Sequence, residues 1–135
     1  MKILILSCNT GEGHNSAGKA LAEYARSHGD SAEFMDIMML GGKRISRFVG
    51  GGYVSVVKYA PGFFSFLYKL GGLVSSSRHK SPVYYANALL AGRLKRYLDE
   101  NNFDVIVTPH LFPAETLTYM KRKKMLAQKV VAVET

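Results

Sequence analysis

The chain has 135 residues, of which 47% are hydrophobic and 21% are charged, a balance that suits one globular domain and excludes intrinsic disorder. A single cysteine, Cys8, excludes an intramolecular disulfide framework and a cysteine-based zinc site. No apolar run reaches the roughly 18 residues of a membrane-spanning helix. Residues 1–8 read as a strand without the cleavage site of a signal peptide, so the sequence predicts a cytoplasmic protein.

The positive charge of the chain is concentrated in its middle. The formal net charge is +8, from 18 lysines and arginines against 10 aspartates and glutamates. Residues 37–98 contain ten of these basic residues, no acidic residue, and ten of the fifteen aromatic residues. This basic aromatic segment indicates a polyanionic partner, which is a membrane surface, a nucleic acid or a phosphorylated substrate.

The first third of the chain predicts a strand, a helix and a second strand. Lys2–Cys8 is a continuous apolar run typical of a strand that is buried on both faces of a parallel sheet. Residues 9–13 form a polar turn with glycines, and a helix is predicted from His14 to about His28, followed by a strand over Ala32–Ile37. The apolar positions of the helix recur at spacings of three and four: Ala17, Ala20, Leu21, Tyr24 and Ala25.

Within the basic aromatic segment, glycines separate short apolar pieces that are compatible with helix. These pieces are Lys43–Val49, Tyr53–Tyr59 and Phe63–Leu70, and residues 75–82 read as a loop. A longer helix follows over Val83–Glu100. Its predicted apolar side consists of Ala86, Leu89, Leu90, Leu94 and Leu98.

The last third returns to alternating strands and helices. Phe103–Thr108 and Lys129–Val133 read as buried strands, and Pro113–Lys124 reads as a helix with a basic end. Together these elements predict an α/β, Rossmann-like parallel sheet with helices on both faces. Since such a domain normally covers its last strand with a helix, we expect residues 1–135 to be part of a longer protein.

The strongest local signal is the loop between the first strand and the first helix. Open α/β sheets bind ligands at this place, Gly11 and Gly13 permit close approach to a bound group, and the helix start favours a phosphate. The alternative is a glycine turn that serves only the backbone geometry. His14 follows at the start of the helix, where the positive helix end favours the neutral imidazole that a base requires.

A second histidine is predicted at the same edge of the sheet. His110 comes directly after the third strand, behind Thr108 and Pro109, and the carboxyl ends of parallel strands share one edge. The histidines and carboxylates do not have the i, i+4 spacing of a zinc helix, so no metal is predicted.

The aromatic residues of the basic segment permit three interpretations. Phenylalanines beside lysines suit an interfacial helix on anionic lipid, and alternating basic and aromatic residues also suit single-stranded nucleic acid. Alternatively, the aromatic rings fill the core and the lysines form a solvated rim. The predicted membrane-binding residues are Lys43, Arg44, Arg47, Lys58, Phe63, Phe64, Phe66 and Lys69.

Two motifs resemble one known family. SCNTGEGHNSAGKAL near the amino terminus and DVIVTPHLFPA near the carboxyl terminus are similar to motifs of the monogalactosyldiacylglycerol synthase and processive diacylglycerol glucosyltransferase family. The resemblance covers the whole chain. It implies the amino-terminal half of a GT-B-type inverting glycosyltransferase, with a second Rossmann-like half that binds the nucleotide sugar beyond residue 135.

The resemblance also implies roles for individual residues. His14 matches the position expected to act as general base, whereas Asn9 stands where some relatives have an aspartate. The residues expected to bind the acceptor or a phosphate are Gly11, Glu12, Gly13, Asn15, Ser16, Pro109 and His110.

The resemblance implies that a hexose moves from a UDP-type donor to diacylglycerol or glycosyl-diacylglycerol, without a cofactor, on the inner face of the cell membrane. Nucleic acid is then not the expected partner. The alternative function is a non-catalytic basic module that binds anionic lipid or nucleic acid.

Overall fold

A computed structural model describes residues 1–8, 12–41 and 82–134, with side chains described from residue 88 onward in the last range. The strands are β1 (Lys2–Ser7), β2 (Ser31–Asp36), β3 (Val105–Thr108) and β4 (Lys129–Ala132). The helices are α1 (Glu12–Ser27), α2 (Pro82–Asn101) and α3 (Leu111–Arg122), with a short 3₁₀ helix over Ile37–Gly41.

The four strands form one parallel sheet in the order β2-β1-β3-β4. β1 is central, and its Ile3 pairs with Ala32 of β2 on one side and Val105 of β3 on the other. Since parallel neighbours need crossover connections, all carboxyl ends of the strands lie at one edge, where α1 and α3 begin. The predicted parallel α/β sheet is confirmed.

The sheet buries apolar side chains on both faces, as its continuous apolar strands predict. On one face, Ile5 and Ala32 pack with Ala22 of α1. The opposite face carries the larger core, which α2 and α3 cover. Its fully or almost fully buried members include Leu4, Leu6, Leu94, Leu98, Ile106, Leu117 and Met120. Helices therefore cover both faces, and the Rossmann-like class predicted from the sequence is confirmed.

Gly18 brings α1 close to the sheet. A Cβ atom at this position would lie 2.6 Å from Cε2 of Phe34 and 3.4 Å from Cγ2 of Ile5, and the first of these distances is shorter than real contacts. The helix can approach β1 and β2 this closely because residue 18 has no side chain. The sequence analysis did not single out this glycine, whose importance depends on a partner 16 residues away along the chain.

Several predicted details differ from the structure. α1 begins at Glu12 and α3 at Leu111, two residues earlier in each case than predicted, so His14 lies inside the first turn. Tyr24 and Leu89, predicted on apolar helix faces, are 66% and 58% exposed. In α1 the reason is that the buried face is centred on Gly18 and Ala22, one position further around the helix than the larger side chains suggested.

The two ends of the basic aromatic segment belong to the core. Ile37 and Met38 in the 3₁₀ helix are buried, as are Leu90 and Leu94 in α2. The three short pieces predicted over residues 43–70, and all eight predicted membrane-binding residues, lie outside the described residues. Among the described helices, none combines the length and the hydropathy needed to cross a membrane.

The amino edge of the sheet is tied together by polar contacts. The Met1 ammonium group donates to Asp30 Oδ1 at 2.7 Å, and the Lys2 backbone N–H donates to Asp104 Oδ2 at 2.6 Å. The Lys2 ammonium also lies 4.6 Å from the centroid of the Phe103 ring. These contacts join the starts of β1, β2 and β3, so polar groups at this edge stabilise the fold.

Candidate functional site

A cavity of about 420 Å³ lies at the carboxyl edge of the sheet, between the ends of β3 and β4 and the starts of α1 and α3. Ligands of open α/β sheets bind at this edge. The described residues that line the cavity combine two histidines with an apolar wall. They are His14, Thr108, Pro109, His110, Leu111, Ala114, Ala132, Val133 and Glu134.

The two predicted histidines meet in this cavity. His14, in the first turn of α1, and His110, before α3, have ring centroids 4.7 Å apart and ring planes inclined at 68°. They are 96 residues apart in the sequence, and the parallel pairing of β1 with β3 brings them together. Both residues are partly buried, and both line the cavity.

His110 also begins α3. It adopts an extended backbone at the N-cap position, and its Nδ1 accepts a hydrogen bond of 3.1 Å from the Phe112 backbone N–H. Burial of the imidazole lowers the pKa of His110, the neighbouring His14 lowers this pKa further, and the carboxylate of Asp36 opposes both effects. The neutral imidazole is therefore the favoured form of His110.

Thr108 holds the backbone of this loop in place. Its buried hydroxyl donates to the His110 carbonyl oxygen at 3.1 Å and accepts from the His110 N–H at 3.3 Å. Pro109 between them is buried and lines the cavity. Sequence analysis predicted Pro109 and His110 but missed Thr108, whose position at the carboxyl end of a strand was the available signal.

The remaining predicted residues at the start of α1 lie around the cavity rather than in its lining. Asn15 Oδ1 accepts a hydrogen bond of 2.9 Å from the buried Ser7 hydroxyl, which ties α1 to β1. Glu12, Gly13 and Ser16 are exposed. Gly11 and Asn9 lie outside the described residues.

Neither the backbone conformation nor the packing of the described residues requires a glycine at position 13. Gly13 lies within α1, and a Cβ atom there would have no atom of the described residues within 4 Å. Among the described residues, the one glycine with a positive φ is Gly29, at 86°, after the end of α1. A backbone requirement therefore explains Gly29 but not Gly13, which is exposed beside His14.

The structure also places residues here that the sequence analysis did not predict. Leu111, the first residue of α3, is 73% exposed and lines the cavity together with His14 and His110. Val133 and Glu134 follow β4 and close one side of the cavity. Their positions after strands were the available sequence signal for these residues. Their residue types gave no further signal, because leucine, valine and glutamate are common on protein surfaces.

In the part of the chain that the structure describes, no group of three or more histidine, cysteine, aspartate or glutamate side chains could hold a metal ion. The cavity itself contains the two histidines and Glu134, and the carboxylate of Asp36 acts on His110. The arrangement offers an imidazole base, polar groups and an apolar wall, which suit proton transfer to or from an amphiphilic ligand.

Comparison with known proteins gave one result. A search of curated proteins and a search of solved structures produced no significant match. A family described as monogalactosyldiacylglycerol (MGDG) synthase matches residues 14–135, which include both histidines, β2 to β4 and all of the basic aromatic segment. Because this match covers most of the sequence, the chain belongs to the monogalactosyldiacylglycerol synthase family.

Proposed function

We propose that the chain is the acceptor-binding, amino-terminal domain of a GT-B-type glycosyltransferase that makes glycolipids. It transfers a hexose from a nucleotide diphosphate sugar to the hydroxyl group of diacylglycerol or of a glycosyl-diacylglycerol. The observation that carries this proposal is the His14–His110 pair in the carboxyl-edge cavity of a chain from this family. The name of the family favours galactose as the sugar.

In the proposed reaction, His14 is the general base. Its imidazole removes the proton of the acceptor hydroxyl while the hydroxyl oxygen attacks the anomeric carbon of the sugar. The bond from that carbon to the diphosphate breaks on the opposite side, so the configuration is inverted. Backbone N–H groups at a helix start are suited to balancing charge on the departing diphosphate.

The lining of the cavity supports an amphiphilic acceptor. His14, Thr108 and His110 supply polar groups, whereas Leu111, Ala114, Ala132 and Val133 supply an apolar wall. A diacylglycerol molecule has its reacting hydroxyl next to apolar chains, and the exposed side chain of Leu111 in the lining offers such chains an apolar contact. We propose that a carboxyl-terminal domain beyond residue 135 holds most of the donor.

The direct test is transfer of labelled sugar by the intact protein to vesicles that contain diacylglycerol, with UDP-galactose and UDP-glucose compared. We expect a glycosyl-diacylglycerol product, and none from residues 1–135 alone, because catalysis requires the donor and acceptor in one geometry. Absence of transfer by the intact protein, or transfer by residues 1–135 alone, would contradict the proposal.

The basic aromatic segment supports membrane attachment at the cytoplasmic face. Seven of its ten positive charges lie between residues 43 and 80, and they attract anionic lipid at about 1 kcal/mol for each residue near the surface, an attraction that salt screens over about 10 Å. Phe63, Phe64 and Phe66 then supply apolar area for shallow insertion. Their neighbours Lys58 and Lys69, with Lys43, Arg44 and Arg47, supply charge.

Vesicle flotation separates the two contributions to membrane binding. We expect binding to anionic vesicles to weaken with salt, and the joint change Phe63→Ser and Phe64→Ser to remove the salt-resistant part. Equal binding to neutral and anionic vesicles would contradict the electrostatic part of the proposal. The charge excess also supports a second candidate, a non-catalytic module for nucleic acid, which requires binding to oligonucleotides to exceed binding to vesicles.

A further inference from the structure

One ring nitrogen of His110 takes part in the start of α3. His110 Nδ1 accepts the Phe112 N–H at 3.1 Å and thereby caps α3. A nitrogen that accepts a hydrogen bond has no proton of its own, so the cap specifies the protonation of this ring. The interaction also satisfies a backbone donor that the helix itself leaves without a partner.

The cap leaves one protonation state that fits the geometry. The imidazolium form has N–H groups on both nitrogens, and its Nδ1–H would face the Phe112 N–H. The neutral ring with its proton on Nδ1 meets the same conflict. The neutral tautomer with the proton on Nε2 preserves the cap and presents an N–H donor at the other side of the ring.

The surroundings of His110 favour the same state. Its ring is partly buried and faces the His14 ring from α1, and both line the cavity with Glu134, which follows β4. The carboxylate of Asp36, at the end of β2, is the group that favours the charged form. Burial and the second imidazole outweigh that carboxylate.

We propose that His110 is a fixed hydrogen-bond donor, which presents its Nε2–H to an oxygen atom of the acceptor and leaves proton removal to His14. The proposal rests on the proposed function, since it divides two roles within that site. It assigns His110 to binding and orientation of the acceptor. A base at residue 110 would have to take up a proton that the cap of α3 disfavours.

The tautomer can be observed without any activity assay. In the intact protein labelled with ¹⁵N-histidine, long-range ¹H–¹⁵N spectra distinguish a protonated from an unprotonated ring nitrogen. We expect His110 to be protonated at Nε2 and unprotonated at Nδ1 at neutral pH. A protonated Nδ1, or rapid exchange between tautomers, would overturn the proposal.

His28 provides a control in the same spectrum. Its Nδ1 lies 2.9 Å from the Tyr24 carbonyl oxygen, and a carbonyl oxygen only accepts hydrogen bonds. The His28 ring is therefore expected to carry a proton on Nδ1, the reverse of His110. The variants His28→Asn and His110→Asn assign the two sets of signals.

Two substitutions separate a donor from a base. Asparagine and aspartate are both good N-cap residues, so His110→Asn and His110→Asp should both retain α3. Asparagine keeps an N–H donor, whereas aspartate offers only acceptors and a possible base. We expect transfer by His110→Asn to exceed that by His110→Asp by about tenfold or more, mainly through KM for the acceptor.

The reverse order, with aspartate more active than asparagine, would show that residue 110 acts as the base and would overturn the proposal. Thermal unfolding of both variants checks that they fold, and if neither does, the spectrum of the unchanged protein still decides the tautomer. If the unchanged protein transfers no sugar, the proposed function fails, whereas the spectrum continues to test the protonation of His110.

Discussion

The amino edge and the carboxyl edge lie at opposite ends of the same four strands, and they use polar groups in different ways. At the amino edge, the ammonium group of Met1 pairs with Asp30, and Asp104 accepts the Lys2 N–H. At the carboxyl edge, His14 and His110 line a cavity of about 420 Å³. The comparison teaches that polar groups at the amino edge only hold strands together, whereas at the carboxyl edge the loop and helix-cap residues that make hydrogen bonds also line a cavity.

The largest expected effect tests whether the carboxyl edge is catalytic. We expect His14→Ala in the intact enzyme to lower turnover by roughly 10²–10⁴, the range for loss of an acid or base group, with little change in the free energy of unfolding. Labelled-sugar transfer and thermal unfolding measure the two quantities. His28→Ala, at the other end of α1, is the matched control and should remain active. Turnover within a few-fold of the unchanged enzyme would exclude His14 as the base.

Gly13→Ala sharpens the same comparison, because the described residues leave room for a methyl group at this position. We expect stability to be unchanged or to rise by up to about 1 kcal/mol, since alanine is the better helix former. Activity should fall by about 10- to 100-fold if a ligand approaches the backbone there, since small displacements of reacting groups are costly.

The control is Gly92→Ala within α2, where an added methyl group also has no atom of the described residues within 4 Å but is not adjacent to His14, so activity should be retained. Full activity of Gly13→Ala would favour the alternative interpretation, in which Gly13 serves only the geometry of the turn.

A third glycine tests packing between the two edges. We expect Gly18→Ala to lower the free energy of unfolding by about 1–3 kcal/mol, because the new methyl group would lie 2.6 Å from the Phe34 ring and must displace it. Chemical denaturation measures the loss, and Gly92→Ala again serves as the control, with no loss expected. Equal stability of the two variants would show that Phe34 yields without cost.

At the amino edge, substitution should affect stability alone. We expect Asp104→Ala to cost about 0.5–1.5 kcal/mol, because the Lys2 N–H loses its partner, and to leave sugar transfer unchanged. The matched control is Asp99→Ala, which breaks an exposed i, i+4 pair with Lys95 and should cost less than about 0.5 kcal/mol. A loss of activity in Asp104→Ala without a loss of stability would contradict the division between the edges.

The smallest expected effect is a pH dependence of stability that arises from His110. Its pKa in the folded protein is lower than its ordinary value of 6.5, so the unfolded chain takes up the proton first as the pH falls. The contribution of His110 to stability is therefore complete above about pH 6.5 and decreases as the pH falls through the interval down to its folded pKa.

Unfolding midpoints of the unchanged protein and of His110→Asn, measured from pH 8 to pH 5, test this dependence. The variant should lose less stability over the interval, since asparagine does not titrate. Equal slopes would contradict the neutral cap.

Much of the fold was predictable because buried parallel strands have a distinctive sequence. Within the described residues, the predicted strands and longer helices agree with the structure to within two residues at most boundaries, since continuous apolar runs and the helical period persist without tertiary information. The 3₁₀ helix at Ile37–Gly41 was missed, because its apolar residues have no period of their own and are held by core packing.

The candidate site was predictable in part for the same reason. His14 and His110 both follow predicted parallel strands, so the topology alone places them at one edge. Leu111 and Thr108 were not predicted, because an exposed leucine and a buried threonine are informative only once their surroundings are known.

By itself, the sequence determined the order of the elements, the parallel sheet, the family and the edge at which the histidines lie. Only the tertiary structure decided that the rings are 4.7 Å apart, that His110 caps α3, and that Gly18 faces Phe34. The physical reason is the range of the interactions. The period of the apolar residues indicates the type of each element and the face on which a residue lies. These contacts instead join residues from 2 to 96 positions apart through particular distances and angles.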